Sequence, residues 1–229
     1  MPDFDASVYP RFTKDMKTTH TILIPEMAPL HFALLQNVLL QDGYHVEVLQ
    51  DCGSEISQLG LKYVHNDTCY PALLVIGQFI SALQSGKYDL DHTALLITQT
   101  GGGCRASNYI HLLRKALVKA GFPQVPVASL NFAGLEKDSG FRMSLPLMRK
   151  LLAAVFYGDL LMTLRNQVLP YENEHGAAQA LTEDWIARLS EDFAHGRGIK
   201  ASEMKKNFPR IARSFAEIPM TRVPRVKVK

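Results

Sequence analysis

The first 140 or so residues alternate short apolar runs with helical patterns, and this alternation constrains the fold more than any other feature of the chain. The apolar runs are of β type and nearly continuous, at 21–24, 45–49, 93–98 and 125–130. Helical patterns lie between them, at 29–42, 72–84 and 106–120. Strands that are buried on both faces and separated by helices are typical of a parallel sheet. The sequence therefore predicts an α/β fold, a Rossmann- or flavodoxin-like parallel sheet with helices on both faces.

The pattern becomes helical from Ser144 onward. Helices are predicted at 145–168, 177–194 and 202–216, with turn signals at Pro170 and Gly196–Gly198. The last ten residues, 220–229, alternate in polarity and are typical of a strand that begins there and is cut short. We therefore divide the chain into a sheet domain (1–143), a helical segment that packs on it (144–219) and the start of a truncated strand.

Composition limits the classes of function. A chain of 229 residues with 47% hydrophobic content can bury a core, and a net charge of +3 gives no argument for nucleic acid as a partner. The longest apolar stretch, 145–164, is interrupted by Arg149, Lys150 and Asp159, so no membrane span is predicted. The N-terminus lacks a secretion pattern, and an odd number of cysteines, three, fits a reducing compartment. A cytoplasmic protein is expected.

Cys69 and Cys104 share a local context that suits chemistry. Each follows a strand-like run and stands at or just before the start of a predicted helix, where the helix dipole favours a thiolate. Because loops after parallel strands gather along one edge of the sheet, we expect the two sulfurs to lie within roughly 10 Å of each other. Buried cysteines often serve only packing, but the polar residues 66–68 and three glycines beside these two favour function. Cys52 fits an incidental loop thiol as well as it fits a ligand.

The spacing of the cysteines narrows the choice of metal. Zinc sites usually contain close C-x-x-C or C-x-x-H pairs, and the sequence has neither. Iron–sulfur clusters accept cysteines from separate loops. We therefore predict that Cys69 and Cys104 are metal ligands of an iron–sulfur cluster, of [4Fe-4S] or related type, with the remaining ligands supplied from elsewhere. No histidine is assigned to the metal.

Gly101, Gly102 and Gly103 precede a predicted helix and leave a second interpretation open. The backbone N–H groups of such a run can hold a phosphate, with Arg105 as the counter-charge. The run matches neither of the common nucleotide-binding patterns. The alternative function is therefore a phosphate- or CoA-binding α/β module that uses these residues and holds no cluster.

Two segments carry a resemblance to a known family. Residues 66–78, NDTCYPALLVIGQ, and 98–109, TQTGGGCRASNY, resemble the dehydratase-like, iron–sulfur portion of the large 2-hydroxyacyl-CoA dehydratase activase-type proteins. The resemblance extends over about residues 20 to 229. It implies a cluster-binding α/β domain in which Cys69 and Cys104 are cluster ligands. It also implies a role in ATP-linked, low-potential electron transfer toward the dehydration of a 2-hydroxyacyl-CoA.

The same resemblance implies partners outside the chain. In the family, this portion is joined to an actin-like ATPase module that acts as activator, and the sequence has no ATPase motif. A further cysteine-bearing α/β segment downstream would complete the cluster site. We therefore expect the ATPase module and the downstream segment as partners and an acyl-CoA as substrate. Taken alone, the chain is expected to be inactive as a dehydratase or activase.

Overall fold

A computed structural model describes residues 9–99, 108–131, 141 and 143–221. The chain forms two compact units. The first unit comprises Met1–Met27 and Gly43–Met143, and the second comprises Ala28–Asp42 and Ser144–Lys229. The second unit thus includes residues 28–42, which the sequence analysis assigned to the sheet domain.

Within the described residues, four parallel strands form the sheet of the first unit. In chain order they are β1 (Thr21–Pro25), β2 (His45–Leu49), β3 (Thr93–Gln99) and β4 (Val127–Asn131). Their order across the sheet is β2-β1-β3-β4, and every pairing is parallel. Helices flank this sheet, so the predicted α/β, flavodoxin-like fold class is confirmed. The strand order reverses between β1 and β3.

Both sets of alternating strand residues are buried, which explains why the strands read as continuous apolar runs. On one face of the sheet, Leu23, Leu95 and Val127 belong to the core of the first unit. The alternate residues Ile22 and Ala94 point to the opposite face and are equally inaccessible. Two helices, α4 (Tyr70–Gln84) and α5 (Tyr109–Ala120), pack against the first of these faces.

A further helix, α3 (Ser54–Tyr63), corrects one sequence-based expectation. Cys69 was expected to follow a strand-like run, whereas the preceding residues 61–63 form the last turn of α3. Helices α3 and α4 can pack closely because glycine has no Cβ at two contact points. A Cβ at Gly60 would overlap the Leu73 carbonyl, and one at Gly77 would overlap the Ile56 carbonyl. These two contacts show that the helices are antiparallel. A short helix, α1 (Met16–Thr19), precedes β1.

The described part of the second unit is helical. It contains α2 (Pro29–Gln41), α6 (Leu145–Val168), α7 (Ala177–Ala194) and α8 (Ala201–Ala216). The bounds of α6 and α7 coincide with the predicted ones. Helix α6 begins where Ser144 Oγ accepts the Leu147 N–H at 3.2 Å. In the described part of the chain, no helix is both long enough and apolar enough to cross a membrane.

The connection between α6 and α7 is tied to the segment after α8. Glu172 and Met220 form an isolated antiparallel bridge, and the Asn173 N–H donates to the Pro219 carbonyl at 2.9 Å. The Glu172 carboxylate accepts the N–H groups of Ala178 and Gly176, both at 2.7 Å, at the start of α7. These backbone hydrogen bonds lower the pKa of Glu172. Of the strand predicted at 220–229, residues 222–229 lie outside the described residues.

Candidate functional site at the Cys69 motif

A tight turn places Cys69 at the start of α4. The Thr68 N–H and Oγ1 both donate to the His65 carbonyl, at 3.1 Å and 2.6 Å, and the Asp67 N–H donates to His65 Nδ1 at 3.2 Å. Polar groups of residues 65–68 thus find hydrogen-bond partners within the turn itself. Cys69 follows as the N-cap residue with extended backbone, and the Ala72 N–H donates to its carbonyl at 3.0 Å.

The Cys69 side chain is half-buried at this helix start. It packs against the core of the first unit without being enclosed by it. Pro71 follows in the first turn, where the missing N–H of proline costs no helical hydrogen bond. The free N–H groups and dipole of a helix N-terminus favour a thiolate over a thiol. The prediction that Cys69 stands at a helix start is confirmed.

The Cys69 sulfur contacts the next helix of the sheet unit. Its Sγ lies 2.8 Å from the Tyr109 hydroxyl, and either atom can be the donor. Tyr109 is the first residue of α5 and is 7% exposed. The starts of α4 and α5 are therefore joined by a hydrogen bond between side chains 40 residues apart in the sequence.

The second predicted ligand lies just before α5. Cys104 falls outside the described residues, as do Gly101, Gly102, Gly103 and Arg105. The distance of about 10 Å between the Cys69 and Cys104 sulfurs, which is the scale of a shared cluster, therefore stays a prediction. The phosphate-binding alternative for the glycine run stays a prediction as well.

Cys52 lies in a different part of the same unit. It is exposed in the loop after β2, and that loop is fixed by Gln78 Nε2, which donates to the Asp51 carbonyl at 2.8 Å. Gln78 is nine residues after Cys69, which corresponds to about 13 Å along the α4 axis. The hydrogen bond therefore holds the Cys52 loop beside the middle of α4 and not at its start.

The two motifs that carry the family resemblance each end in a residue whose role sequence reasoning missed. Gln78 closes the first motif and holds the loop after β2. Tyr109 closes the second motif and contacts Cys69. The available signal was a long amide side chain and a phenol among the apolar residues by which each helix packs, since such buried groups require hydrogen-bond partners.

The described residues contain no complete metal site. Among them, no group of three or more His, Cys, Asp or Glu side chains is placed to hold a metal ion. His65, the closest histidine in sequence, has 74% of its side chain exposed and engages Asp67. A [4Fe-4S] cluster commonly takes four thiolates, and of the two predicted ligands the described part of the chain includes only Cys69.

A second polar cluster covers the edge strand β2. Tyr88 OH donates to Glu47 Oε1 at 2.6 Å, and Lys87 Nζ bonds to the same carboxylate oxygen. Burial alone would raise the pKa of Glu47, but the hydrogen bonds from Lys87 and Tyr88 outweigh it and lower that pKa. A groove of about 380 Å³ runs from this cluster to Asp51. Charged side chains over an edge strand discourage pairing with another strand.

Together, the fold and the site define an α/β protein with a half-buried cysteine at a helix start on the carboxyl side of a parallel sheet. No protein-family model matches the chain, and no match is found among curated proteins or solved structures. The family resemblance of the two cysteine motifs therefore stays a prediction.

Proposed function

We propose that this chain is the iron–sulfur-binding domain of a protein related to the 2-hydroxyacyl-CoA dehydratases and their activases, with Cys69 and Cys104 as cluster ligands. The hydrogen bond between Cys69 Sγ and Tyr109 OH, at 2.8 Å, is the observation that carries the proposal. It joins the starts of α4 and α5. Cys104 precedes Tyr109 by five residues, a stretch that spans at most about 18 Å, so a cluster bound to Cys69 is within reach of Cys104.

The surroundings of Cys69 suit a thiolate that binds a cluster. The helix start compensates negative charge, and the Tyr109 hydroxyl can donate to the sulfur. Hydrogen bonds to ligand sulfurs are one of the means by which a protein sets the potential of a cluster. When bound, the cluster would supply one-electron transfer at low potential.

The proposed role places this domain between two partners. Electrons would enter from an ATP-hydrolysing activator and leave toward a 2-hydroxyacyl-CoA, and the remaining cluster ligands would come from a further α/β segment. Because Cys69 and Cys104 would supply two of the four thiolates that such a cluster commonly takes, a cluster in this chain alone is expected to be weakly held. Protein purified in air should therefore contain little iron.

Anaerobic reconstitution tests the proposal. The chain is incubated with ferrous iron and sulfide and desalted, and its iron, sulfide and visible absorbance are measured. We expect the unsubstituted chain to gain a broad brown absorbance, which Cys69→Ser and Cys104→Ser each abolish. Cys52→Ser is the matched control and should retain the absorbance, since Gln78 holds that loop away from the start of α4. Equal iron in all three variants would show adventitious binding and contradict the proposal.

The same samples separate the proposal from the phosphate-binding alternative. Binding of CoA or inorganic phosphate is measured by calorimetry in the unsubstituted chain, in Cys69→Ser and in Arg105→Gln. Binding that Arg105→Gln removes and Cys69→Ser leaves unchanged, without any reconstituted absorbance, would replace the cluster by a phosphate site at Gly101 to Gly103.

A further inference from the structure

Helix α6 carries an exposed line of residues, here named the α6 stripe. Its members recur at alternating spacings of four and three residues and are all exposed: Leu145, Arg149, Leu152, Phe156, Asp159 and Thr163. Val155 and Met162 lie beside the stripe and are exposed as well. Phe156 leaves 52% of its surface accessible and Leu152 leaves 46%. Four of these eight positions are large aliphatic side chains and one is phenylalanine, which is unusual for a helix surface in contact with water.

The opposite side of α6 is buried within the protein. Leu147, Leu151, Ala154, Tyr157 and Leu161 are all inaccessible or nearly so. A helix that packs by one side is expected to be polar on the other. Instead, the stripe repeats its members in the heptad pattern by which two helices pack side by side. The pattern points to a second helix against the exposed side.

The order of residues along the stripe is symmetric in its chemistry. Arg149 and Asp159 stand five residues on either side of Ala154, and Leu152 and Phe156 stand two residues on either side of it. An antiparallel copy of α6 centred at the level of Ala154 would therefore bring Arg149 opposite Asp159 of the copy, twice. Leu152 would meet Phe156 of the copy, also twice.

From this symmetry we propose that the α6 stripe binds a second copy of this chain through an isologous, two-fold interface with the α6 helices antiparallel. A parallel arrangement would put Arg149 against its own equivalent and is disfavoured by like charge. The stripe from 145 to 163 is about 27 Å long, enough for several layers of side chains. Near its centre, Val155 and its equivalent would stand about 3 Å apart along the helix axis.

Asp159 is already oriented for this contact. One of its carboxylate oxygens lies 2.9 Å from His31 Nε2, while 61% of the side chain stays exposed. The carboxylate can therefore keep its contact with His31 and accept Arg149 of the copy. Ion pairs of this kind select a register and orientation, while the apolar residues supply the association free energy.

Charge exchange tests the interface. The dissociation constant of the dimer is measured by sedimentation over a concentration series for the unsubstituted chain, Arg149→Asp, Asp159→Arg and the double variant. Each single change places two like-charge pairs across the interface and should weaken the dimer roughly tenfold or more. The double variant exchanges the charges and should recover most of the affinity. A mixture of the two single variants should associate more tightly than either alone.

Two further variants complete the test, with circular dichroism to verify that each is folded. Leu152→Glu should abolish the dimer. Leu40→Glu places the same charge on an exposed leucine of α2 in the same unit and should leave the dimer unchanged. A monomer throughout the concentration series, or a dimer that the charge variants and Leu152→Glu do not weaken, would overturn the proposal. The outcome does not depend on iron, so it is independent of the proposed function.

Discussion

The Cys69 sulfur is positioned by contacts of very different range. The turn that delivers it is closed by hydrogen bonds among residues 65–68, whereas its own side chain meets Tyr109, 40 residues further along the chain. The local part could be predicted from the sequence, because Pro71 marks a helix start and the residue types before it favour a turn. The contact with Tyr109 could not, because it depends on how two helices lie on the sheet.

Replacement of Tyr109 tests whether its hydroxyl stabilises the Cys69 thiolate. Tyr109→Phe keeps the ring in the core and removes the hydrogen-bond donor. Because a hydrogen bond to a charged group contributes about 1.5 kcal/mol or more, alkylation of Cys69 by iodoacetamide near neutral pH should slow by roughly tenfold. The rate is measured against pH in a chain with Cys52→Ser and Cys104→Ser, so that only Cys69 reacts.

The outcome distinguishes the two directions of this hydrogen bond. If the sulfur donates to the hydroxyl, Tyr109→Phe leaves the pH profile in place and at most changes the maximal rate by altering access. Tyr63→Phe serves as the control, since it removes a hydroxyl that bonds to Gln84 in the same unit and not to Cys69.

At the scale of elements, the pair α3 and α4 depends on two glycines. Gly60 and Gly77 let each helix approach the backbone of the other, and a methyl group at either position would overlap a carbonyl. In an ordinary helix, replacing glycine by alanine stabilises by about 1 kcal/mol. Here we expect Gly77→Ala to lower the free energy of unfolding by about 1 to 3 kcal/mol, because the helices must separate.

Urea unfolding followed by circular dichroism measures this change. Gln58→Ala lies on the exposed side of α3 and should alter the stability by less than about 0.5 kcal/mol. A Gly77→Ala protein as stable as the unsubstituted chain would mean that the helices can move apart freely.

The start of α7 is expected to make stability depend on pH through Glu172. Its pKa is lowered by the hydrogen bonds from the Ala178 and Gly176 N–H groups. A carboxyl group whose pKa is lower in the folded state stabilises the fold fully above its ordinary pKa, and this contribution disappears as the pH falls through the lowered value. Glu172→Gln should therefore reduce the urea midpoint at neutral pH and reduce it less in acid.

The measurement compares urea midpoints of the two proteins from neutral pH down to about pH 3. Glu174→Gln is the matched control, because that side chain is exposed two residues further on. A difference between Glu172→Gln and the unsubstituted chain that stays constant with pH would contradict the prediction, because it would show that the pKa of Glu172 does not change on folding.

Most elements could be predicted from local patterns, and helix α3 is the main exception. The strands could be recognised because burial on both faces produces continuous apolar runs. Helices α6 and α7 could be recognised because Ser144, Pro170 and the glycines at 196 and 198 mark their ends. Helix α3 was missed because it has only ten residues, about half of them polar, and an internal glycine, which together give a weak helical signal. Its glycine serves the packing against α4, which no local pattern reveals.

At the scale of the whole molecule, the sequence order and the spatial grouping differ. Helix α2 lies between β1 and β2 in the chain, yet it belongs to the unit formed with the C-terminal helices. Its apolar pattern predicts that one side of the helix is buried, and Phe32, Leu34 and Val38 are buried in the structure. The pattern does not predict which elements cover that side, because a hydrophobic pattern identifies a buried side without identifying its partner.

This grouping has a consequence for how the chain is made. On the ribosome α2 emerges early, and the rest of its unit begins only at Ser144, about a hundred residues later. Synthesis proceeds at roughly 5 to 20 residues per second. For several seconds, its apolar side has no final partner. The nascent chain therefore has to shield that helix, by a chaperone or by temporary contacts, until the last third of the protein has been translated.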